Sequence, residues 1–149
     1  MQIRSARDED LSAVETLLSE NQLPVQGVRE NFSNFLVAEE GRRIVGAIGL
    51  ESFNSVALLR SAAVSEGVRG TGIGRQLVDH ALENARRQGI EEVFLLTTTA
   101  EKYFPKFGFS ETTRDLVPAA VKASAEFRGA CPDSAIVMRL PIVPTPASL

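Results

Sequence analysis

The stretch LLRSAAVSEGVRGTGIGRQLVDHAL, Leu58 to Leu82, decides how the rest of the chain is organised. An apolar run of small residues ends at Val64, a glycine-rich loop follows, and helical periodicity begins at Ile73. Glycines lack a Cβ and allow positive φ, so consecutive amides can converge on one anion. The first turn of a helix adds unpaired N–H groups and the positive end of its dipole. The stretch therefore predicts a strand, an anion-binding turn and a helix, with a phosphate or pyrophosphate as ligand.

Spacing separates three templates for such a loop. A Walker loop requires a lysine after its second glycine, but here Ile73 follows Gly72. A dinucleotide-binding loop reads G-x-G-x-x-G, whereas Gly70, Gly72 and Gly74 are spaced as G-x-G-x-G. The pattern that fits is R-x-x-G-x-G, which begins at Arg69. The alternative is a glycine-rich turn that binds no ligand.

Length and composition describe an ordinary globular protein. The chain has 149 residues, of which 44% are hydrophobic and 23% charged, and this length can bury a real core. A net charge of -3 argues against binding nucleic acid through a general basic field. No apolar run approaches a membrane span, and the single cysteine, Cys131, cannot form an internal disulfide. We therefore expect a cytoplasmic protein that binds neither nucleic acid nor membrane.

Periodicity and turn signals predict a mixed sheet with flanking helices. A turn at Glu40 and Gly41 joins two apolar runs into a hairpin, and the strands on either side of the glycine-loop helix form one parallel βαβ unit. Ligands of such units bind beyond the carboxyl ends of the strands, here near Val64 and Thr97. The predicted strands are residues 2–6, 35–38, 44–50, 56–64, 93–97 and 135–140. The predicted helices are residues 8–20 with Asp8 as N-cap, a short one within 25–31, one from Ile73, and 117–127.

A second motif follows the strand that ends at Thr97. It reads TTTAEKYFPKFGF, with Ala100, Gly108 and Phe109 in register with the pattern N-x-x-A-x-x-apolar-Y-x-x-x-G-F of the GNAT superfamily of N-acetyltransferases. Together with R-x-x-G-x-G, it makes the chain resemble that family from about Phe35 to Phe109. More narrowly, LLRSAAV, LLTTTA, FGF and SAEFRGACPDSAIVM resemble the arsenic-resistance N-acetyltransferases, and they are similar to the acetyltransferase domain of N-acetylglutamate synthases.

The resemblance implies an α/β (α+β) fold, in which a central, twisted and mostly antiparallel sheet has one parallel βαβ unit splayed around acetyl-CoA. It implies one domain, residues 1–140, followed by a proline-rich tail, residues 141–149. The implied reaction is direct acetyl transfer from acetyl-CoA to the amine of a small acceptor, without a metal. The acceptor favoured is an amino acid or an amino-acid-like phosphinate or arsinate. A peptide or protein N-acetyltransferase and a silent CoA-binding sensor remain alternatives, and a homodimer is the candidate assembly.

The resemblance also assigns cofactor contacts. An amide near the end of the strand would polarise the thioester carbonyl, the loop would bind the pyrophosphate, and the family's asparagine position is Thr97. The predicted contacts are Ala62, Ala63, Val64, Arg69, Gly70, Thr71, Gly72, Ile73, Gly74, Arg75 and Thr97. The family's tyrosine, the usual proton donor to the leaving thiolate, falls on Phe104, whereas Tyr103 lies one residue earlier. Tyr103 is therefore either a displaced acid or a packing residue.

The remaining candidates concern the acceptor. Glu51, near the end of the preceding strand, is a candidate general base, against the alternative of a solvated turn residue. Arg60 and Arg114 are candidates for binding an acidic acceptor group bidentately, each against a structural ion pair. Arg60 lies inside an apolar strand, so it must be paired or face a cavity. Ser134 lies where the glutamate-acetylating relatives use a serine for substrate.

Overall fold

The computed structural model describes residues 1–132 and 134–144. Its strands and longer helices follow the order predicted for a mixed sheet. They are β1 (Gln2–Ser5), α1 (Leu11–Glu20), β2 (Phe35–Glu40), β3 (Arg43–Phe53), β4 (Val56–Val64), α2 (Ile73–Arg87), β5 (Glu92–Thr97), β6 (Ser110–Thr112), α3 (Ala119–Lys122) and β7 (Ile136–Pro141). Of the predicted tail, Pro141 ends β7, and residues 145–149 lie outside the described residues.

The strands form one seven-stranded sheet in the order β1-β2-β3-β4-β5-β7-β6. Strand β4 pairs with β5 in parallel, whereas β1 with β2, β2 with β3, β5 with β7, and β6 with β7 are antiparallel. This confirms the predicted mixed sheet with one parallel pair. The chain divides into two compact units, residues 1–51 with 59–84, and residues 52–58 with those from 85 onward.

In the first unit, α1 closes a core against the β2–β3 hairpin. Val14, Leu17 and Leu18 recur at helical spacing and are buried, and they cluster with Phe35 and Val37 of β2. Helix α2 begins where its first apolar residues meet β3 at Gly46. A Cβ on Gly46 would lie 2.9 Å from Leu77 Cδ1 and 3.3 Å from Ile73 Cγ2. The glycine therefore permits the close approach that fixes the start of α2 and the loop before it.

An ion pair between Arg4 and Asp10 holds the turn between β1 and α1 in place. Helix α1 begins at Leu11, after a 3-10 turn at Asp8–Asp10, so the prediction of Asp8 as N-cap is wrong. The acid that is used is Asp10, whose Oδ2 accepts from the amide of Arg7 at 2.7 Å and from Arg4 Nη1 at 2.8 Å. The Arg4 guanidinium, bonded to both carboxylate oxygens, holds the pKa of Asp10 below its usual value.

The second unit packs a helical segment on β5 and β7. Its core joins Leu58, Phe94 and Val137 from the sheet to Val117 and Val121. The predicted helix over 117–127 is wrong. The segment is instead divided into a 3-10 turn at Arg114–Leu116, the four-residue α3 and a distorted turn at Glu126–Ala130. Val117 comes before a proline and has ψ 131°, an extended conformation that keeps it out of a helix, and beyond the predicted range the glycine at position 129 has φ 114°. The predicted short helix within 25–31 is a 3-10 helix at Arg29–Asn34.

Candidate active site

The glycine loop joins β4 to α2 in the first unit. Gly70 has φ 84° and Gly72 has φ 87°, values that residues with a Cβ seldom adopt. A Cβ built on either residue would meet no atom within 4 Å, so the space above the loop is open. Thr71 Oγ1 donates to the carbonyl of Val68 at 2.6 Å and fixes the bend between the two glycines. The loop thus has the backbone conformation and the room that an anion requires.

Six consecutive amides of the loop and the first helical turn, residues 70–75, donate to no acceptor within the described part of the chain. The hydrogen-bond ladder of α2 starts one residue later, where Gln76 N donates to the Gly72 carbonyl at 3.1 Å. Unpaired amides at the positive end of a 15-residue helix form an anion site. The residues present therefore fit a pyrophosphate.

The two arginines that flank the loop differ in their surroundings. Arg75 lies exposed in the first turn of α2. Arg69 is also exposed, but its Nη2 donates to Asn21 Oδ1 at 2.7 Å and its Nε to the Val64 carbonyl at 3.4 Å. Arg69 therefore ties the loop to the end of α1, in addition to the anion contact predicted for it.

Before the loop, β4 contains a residue with an unusual backbone. Ser61 lies inside the strand with φ 59°, and it is buried. Beyond it, Ala62 is exposed, Ala63 is buried and Val64 is partly buried. These three residues are the predicted contacts of the thioester. Their orientation is set by the irregularity at Ser61, because one residue of left-handed conformation redirects the strand that follows.

Glu51 and Arg60 form one buried pair. Arg60 Nη1 donates to Glu51 Oε2 at 2.9 Å, and the two side chains are 0% and 6% exposed, respectively. Arg60 Nε also donates to Ser61 Oγ at 3.0 Å, and Nη2 donates to the Pro24 carbonyl at 3.4 Å. Arg60 is thus paired, the first of the two alternatives that its place in an apolar strand left open. The alternative of Glu51 as a solvated turn residue is wrong, because it lies within β3 and is buried.

In the second unit, the parallel ladder is short. It pairs residues 56–58 of β4 with residues 92–94 of β5, and β5 continues to Thr97. The Thr97 hydroxyl accepts from Ala100 N at 2.9 Å and from Thr99 N at 3.4 Å. Thr97 therefore shapes the turn after β5, which is a different use of its oxygen from the cofactor contact predicted.

Aromatic side chains occupy the segment after that turn. Phe104, at the family's tyrosine position, is buried and packs edge-on against Phe109 with ring centroids 5.7 Å apart. Tyr103 is partly exposed, its ring lies 5.4 Å from that of Phe107, and Lys106 Nζ lies 5.2 Å above it. The two neighbouring rings thus differ in burial, and the proton-donor role of Tyr103 stays a prediction.

Arg114 contacts Ala135, the residue that follows Ser134 just before β7. The Arg114 guanidinium stacks 5.6 Å above the Phe127 ring and donates to the Ala135 carbonyl at 3.4 Å. Ser134 is exposed in the preceding turn, directly before Ala135. The structure therefore brings Arg114 into contact with the residue next to Ser134. The third predicted acceptor residue, Arg60, is instead paired with Glu51 in the first unit.

A sequence profile of the acetyltransferase (GNAT) domain matches residues 31–111, more than half of the chain. The chain belongs to the GNAT acetyltransferase family. It is 28% identical over 149 residues to an uncharacterized N-acetyltransferase of Chlorobaculum tepidum, covering 93% of this chain and 96% of the relative. It is 31% identical over 131 residues to the amino-acid acetyltransferase of Mycobacterium tuberculosis, covering 80% and 74%.

Solved GNAT structures show the same fold. Rv2747 from Mycobacterium tuberculosis, determined in complex with CoA and NLQ, superposes with a TM-score of 0.81 at 25% identity, covering 96% of this chain and all of that one. Other relatives are longer, and this chain spans 21% of the amino-acid acetyltransferase of Ralstonia nicotianae. Family and fold confirm the prediction of an acetyl-CoA-dependent N-acetyltransferase.

The described residues hold neither a metal-ligand cluster nor a membrane-spanning helix. Residues 1–132 and 134–144 contain no cluster of three or more metal-ligating side chains. No helix among them has the length and apolar character that a membrane crossing needs.

Sequence reasoning missed two features of this GNAT domain. Serine carries no signal for a positive φ, so the irregularity at Ser61 could not be predicted. Glu101, in the turn after β5, has a buried Oε2 that accepts no hydrogen bond from the described residues. Its place within the second family motif was the one available signal.

Proposed function

We propose that this GNAT enzyme acetylates the primary amine of an amino acid or of an amino-acid-like phosphinate or arsinate. The main support for an amino-acid acceptor is that four fifths of this chain is similar in sequence to the amino-acid acetyltransferase of Mycobacterium tuberculosis. The resemblance of LLRSAAV, LLTTTA and the final SAEFRGACPDSAIVM to arsenic-resistance enzymes favours the phosphinate and arsinate members of the class. We also propose a cytoplasmic enzyme, on the basis of its single cysteine.

Acetyl-CoA supplies an acyl group already activated as a thioester. The amides of residues 70–75 hold its pyrophosphate, and the end of β4, residues 62–64, supports the oxyanion that develops on the carbonyl. The neutral amine forms the C–N bond directly while the C–S bond breaks, and its surplus proton passes to water. Because a thiol of this kind has a pKa of about 8.5, the thiolate can leave near neutral pH without a protein acid.

The acceptor's acidic group has a recognition residue in the second unit. Arg114 is held in place by the Phe127 ring and the Ala135 carbonyl, and a guanidinium binds carboxylate, phosphinate or arsinate oxygens in a bidentate manner. The exposed hydroxyl of Ser134 supplies a further donor at the start of the same segment. We therefore assign the acidic group to Arg114 and Ser134.

A panel of amines tests the proposal. Thiol release from acetyl-CoA is measured with acidic and neutral amino acids, a phosphinate and an arsinate amino-acid analogue, and a peptide with a free N-terminus. We expect turnover with the amino acids or their analogues. Turnover confined to the peptide would favour the peptide N-acetyltransferase, and tight CoA binding without turnover of any amine would favour the sensor.

A further inference from the structure

The left-handed residue inside β4 requires support. Ser61 has a Cβ and φ 59°, a conformation in which the side chain crowds the following carbonyl. Such strain persists only where the surroundings hold it, and it concentrates at functional sites. Ser61 directly precedes residues 62–64, the segment to which the proposed function assigns the thioester carbonyl.

The support is a buried polar network around Arg60. Three nitrogens of its guanidinium donate to three different acceptors, Ser61 Oγ, Glu51 Oε2 and the Pro24 carbonyl. These bonds join the strained residue to β3 and to the segment after α1. The Arg60 side chain is wholly buried, so it neutralises Glu51 inside the unit.

A buried ion pair is seldom the most stable filling for a core site, because desolvation offsets the attraction between the charges. Its bonds are directional, however, and a planar guanidinium fixes several acceptors at defined angles. The network is therefore better suited to fixing the backbone conformation around Ser61 than to stabilising the fold. Because Arg60 and Glu51 neutralise each other, the network also differs from a site that binds the carboxylate of an acceptor.

We propose that Arg60 and Glu51 are positioning residues, which hold the irregularity at Ser61 so that the backbone of residues 62–64 faces the thioester carbonyl. This assignment rests on the proposed function. It replaces acceptor binding by Arg60 and proton abstraction by Glu51 with one shared role.

The test uses variants in which apolar side chains of similar size replace the buried charged ones, so that the network is lost and the space stays filled. In E51L/R60M both charges disappear together, so no unpaired buried charge remains. The triple variant E51L/R60M/S61G adds a residue that adopts φ near 60° without support. The control is R4M/D10L/E39Q, which removes the other buried charge cluster of the first unit without leaving a charge unpaired: Arg4 pairs there with Asp10, at side-chain exposures of 10% and 9%, and with Glu39.

We expect E51L/R60M to bind CoA like the wild type but to lose kcat by about tenfold to a hundredfold, as displacement of a reacting group predicts. The acceptor KM should stay within about twofold of the wild-type value, because the variant keeps the contacts that bind the acceptor in its ground state. Glycine at position 61 should restore much of kcat. Because glycine also relieves strain and so adds stability, kcat is compared under conditions where urea unfolding shows both variants to be fully folded. The control should lose stability and keep kcat.

Hydrogen exchange supplies a readout independent of turnover. We expect the amides of residues 61–64 to exchange at least about tenfold faster in E51L/R60M and to be slowed again by S61G. Wild-type kcat and exchange in folded E51L/R60M would overturn the proposal. So would a rise in KM confined to acidic acceptors in the R60M single variant, since it would make Arg60 an acceptor-binding residue. An inactive wild type would refute the proposed function instead, and exchange would then decide the role of the network.

Discussion

Replacing Gly72 by aspartate adds bulk and negative charge at the centre of the glycine loop. The backbone there has φ 87°, so any side chain costs about 1–2 kcal/mol of folding stability. No atom lies within 4 Å of the added Cβ, so no clash increases that cost. The variant should therefore fold, with a melting temperature lowered by about 2–8 °C.

The effect on CoA binding is larger, because the carboxylate repels the pyrophosphate. At about 5 Å, two like charges repel by about 1 kcal/mol in water and about 3 kcal/mol at an effective dielectric constant of 20. The exposed loop lies between these limits, so we expect CoA affinity to fall by about thirtyfold at low salt. The loss should shrink as ionic strength rises, because salt screens exposed charges.

Gly41→Asp is the matched control. Gly41 lies in the β2–β3 turn with φ 64°, and a Cβ there also meets no atom within 4 Å. It imposes the same strain and the same charge away from the loop. Isothermal titration calorimetry with CoA compares the two variants at two salt concentrations. Equal CoA affinities for the two folded variants would refute the placement of the pyrophosphate on the amides of residues 70–75.

Three further predictions concern single side chains. Tyr103→Phe should lower kcat by less than about tenfold, because the thiolate leaves without help; a loss of a hundredfold at unchanged acetyl-CoA affinity would make Tyr103 the proton donor. Arg114→Ala should raise the KM of an acidic acceptor by about tenfold or more and leave that of acetyl-CoA unchanged, with exposed Arg42→Ala as control; equal KM values for both variants would exclude this contact. Asp10→Asn should cost about 2 kcal/mol at pH 7, because it weakens a charge-assisted hydrogen bond. The bond to Arg4 lowers the pKa of Asp10, so this stability is present above the unfolded-state pKa near 4 and is lost as pH falls through the folded-state pKa. The free energy of unfolding in urea should therefore depend less on pH in acid for the variant than for the wild type. An equally steep acid dependence in both proteins would contradict this linkage.

The strand, loop and helix of the first unit could be predicted because their signals are local. Glycine spacing indicated the loop, and apolar residues at helical spacing fixed the start of α2 at Ile73. The parallel pair followed from the order strand, helix, strand. Local signals also placed the β2–β3 hairpin at Gly41.

The remainder depends on contacts distant in sequence. Glu51 is buried because Arg60, nine residues away on the next strand, supplies a partner. The left-handed conformation of Ser61 depends on that same arginine, and serine itself gives no sign of it. The segment from Val117 reads as a helix by its apolar residues, yet the following proline keeps Val117 extended and α3 ends at Lys122. Tertiary context thus decided the details of the candidate site.

Mass spectrometry after a single turnover tests the central claim most directly. The enzyme is mixed with acetyl-CoA labelled in its acetyl group and with the best amino-acid acceptor from the panel. We predict that the label appears on the acceptor's amine nitrogen in the same amount as free CoA thiol, and that none remains on the protein. Free thiol with labelled acetate and no acetylated acceptor, or label retained on a protein side chain, would contradict direct transfer to an amine.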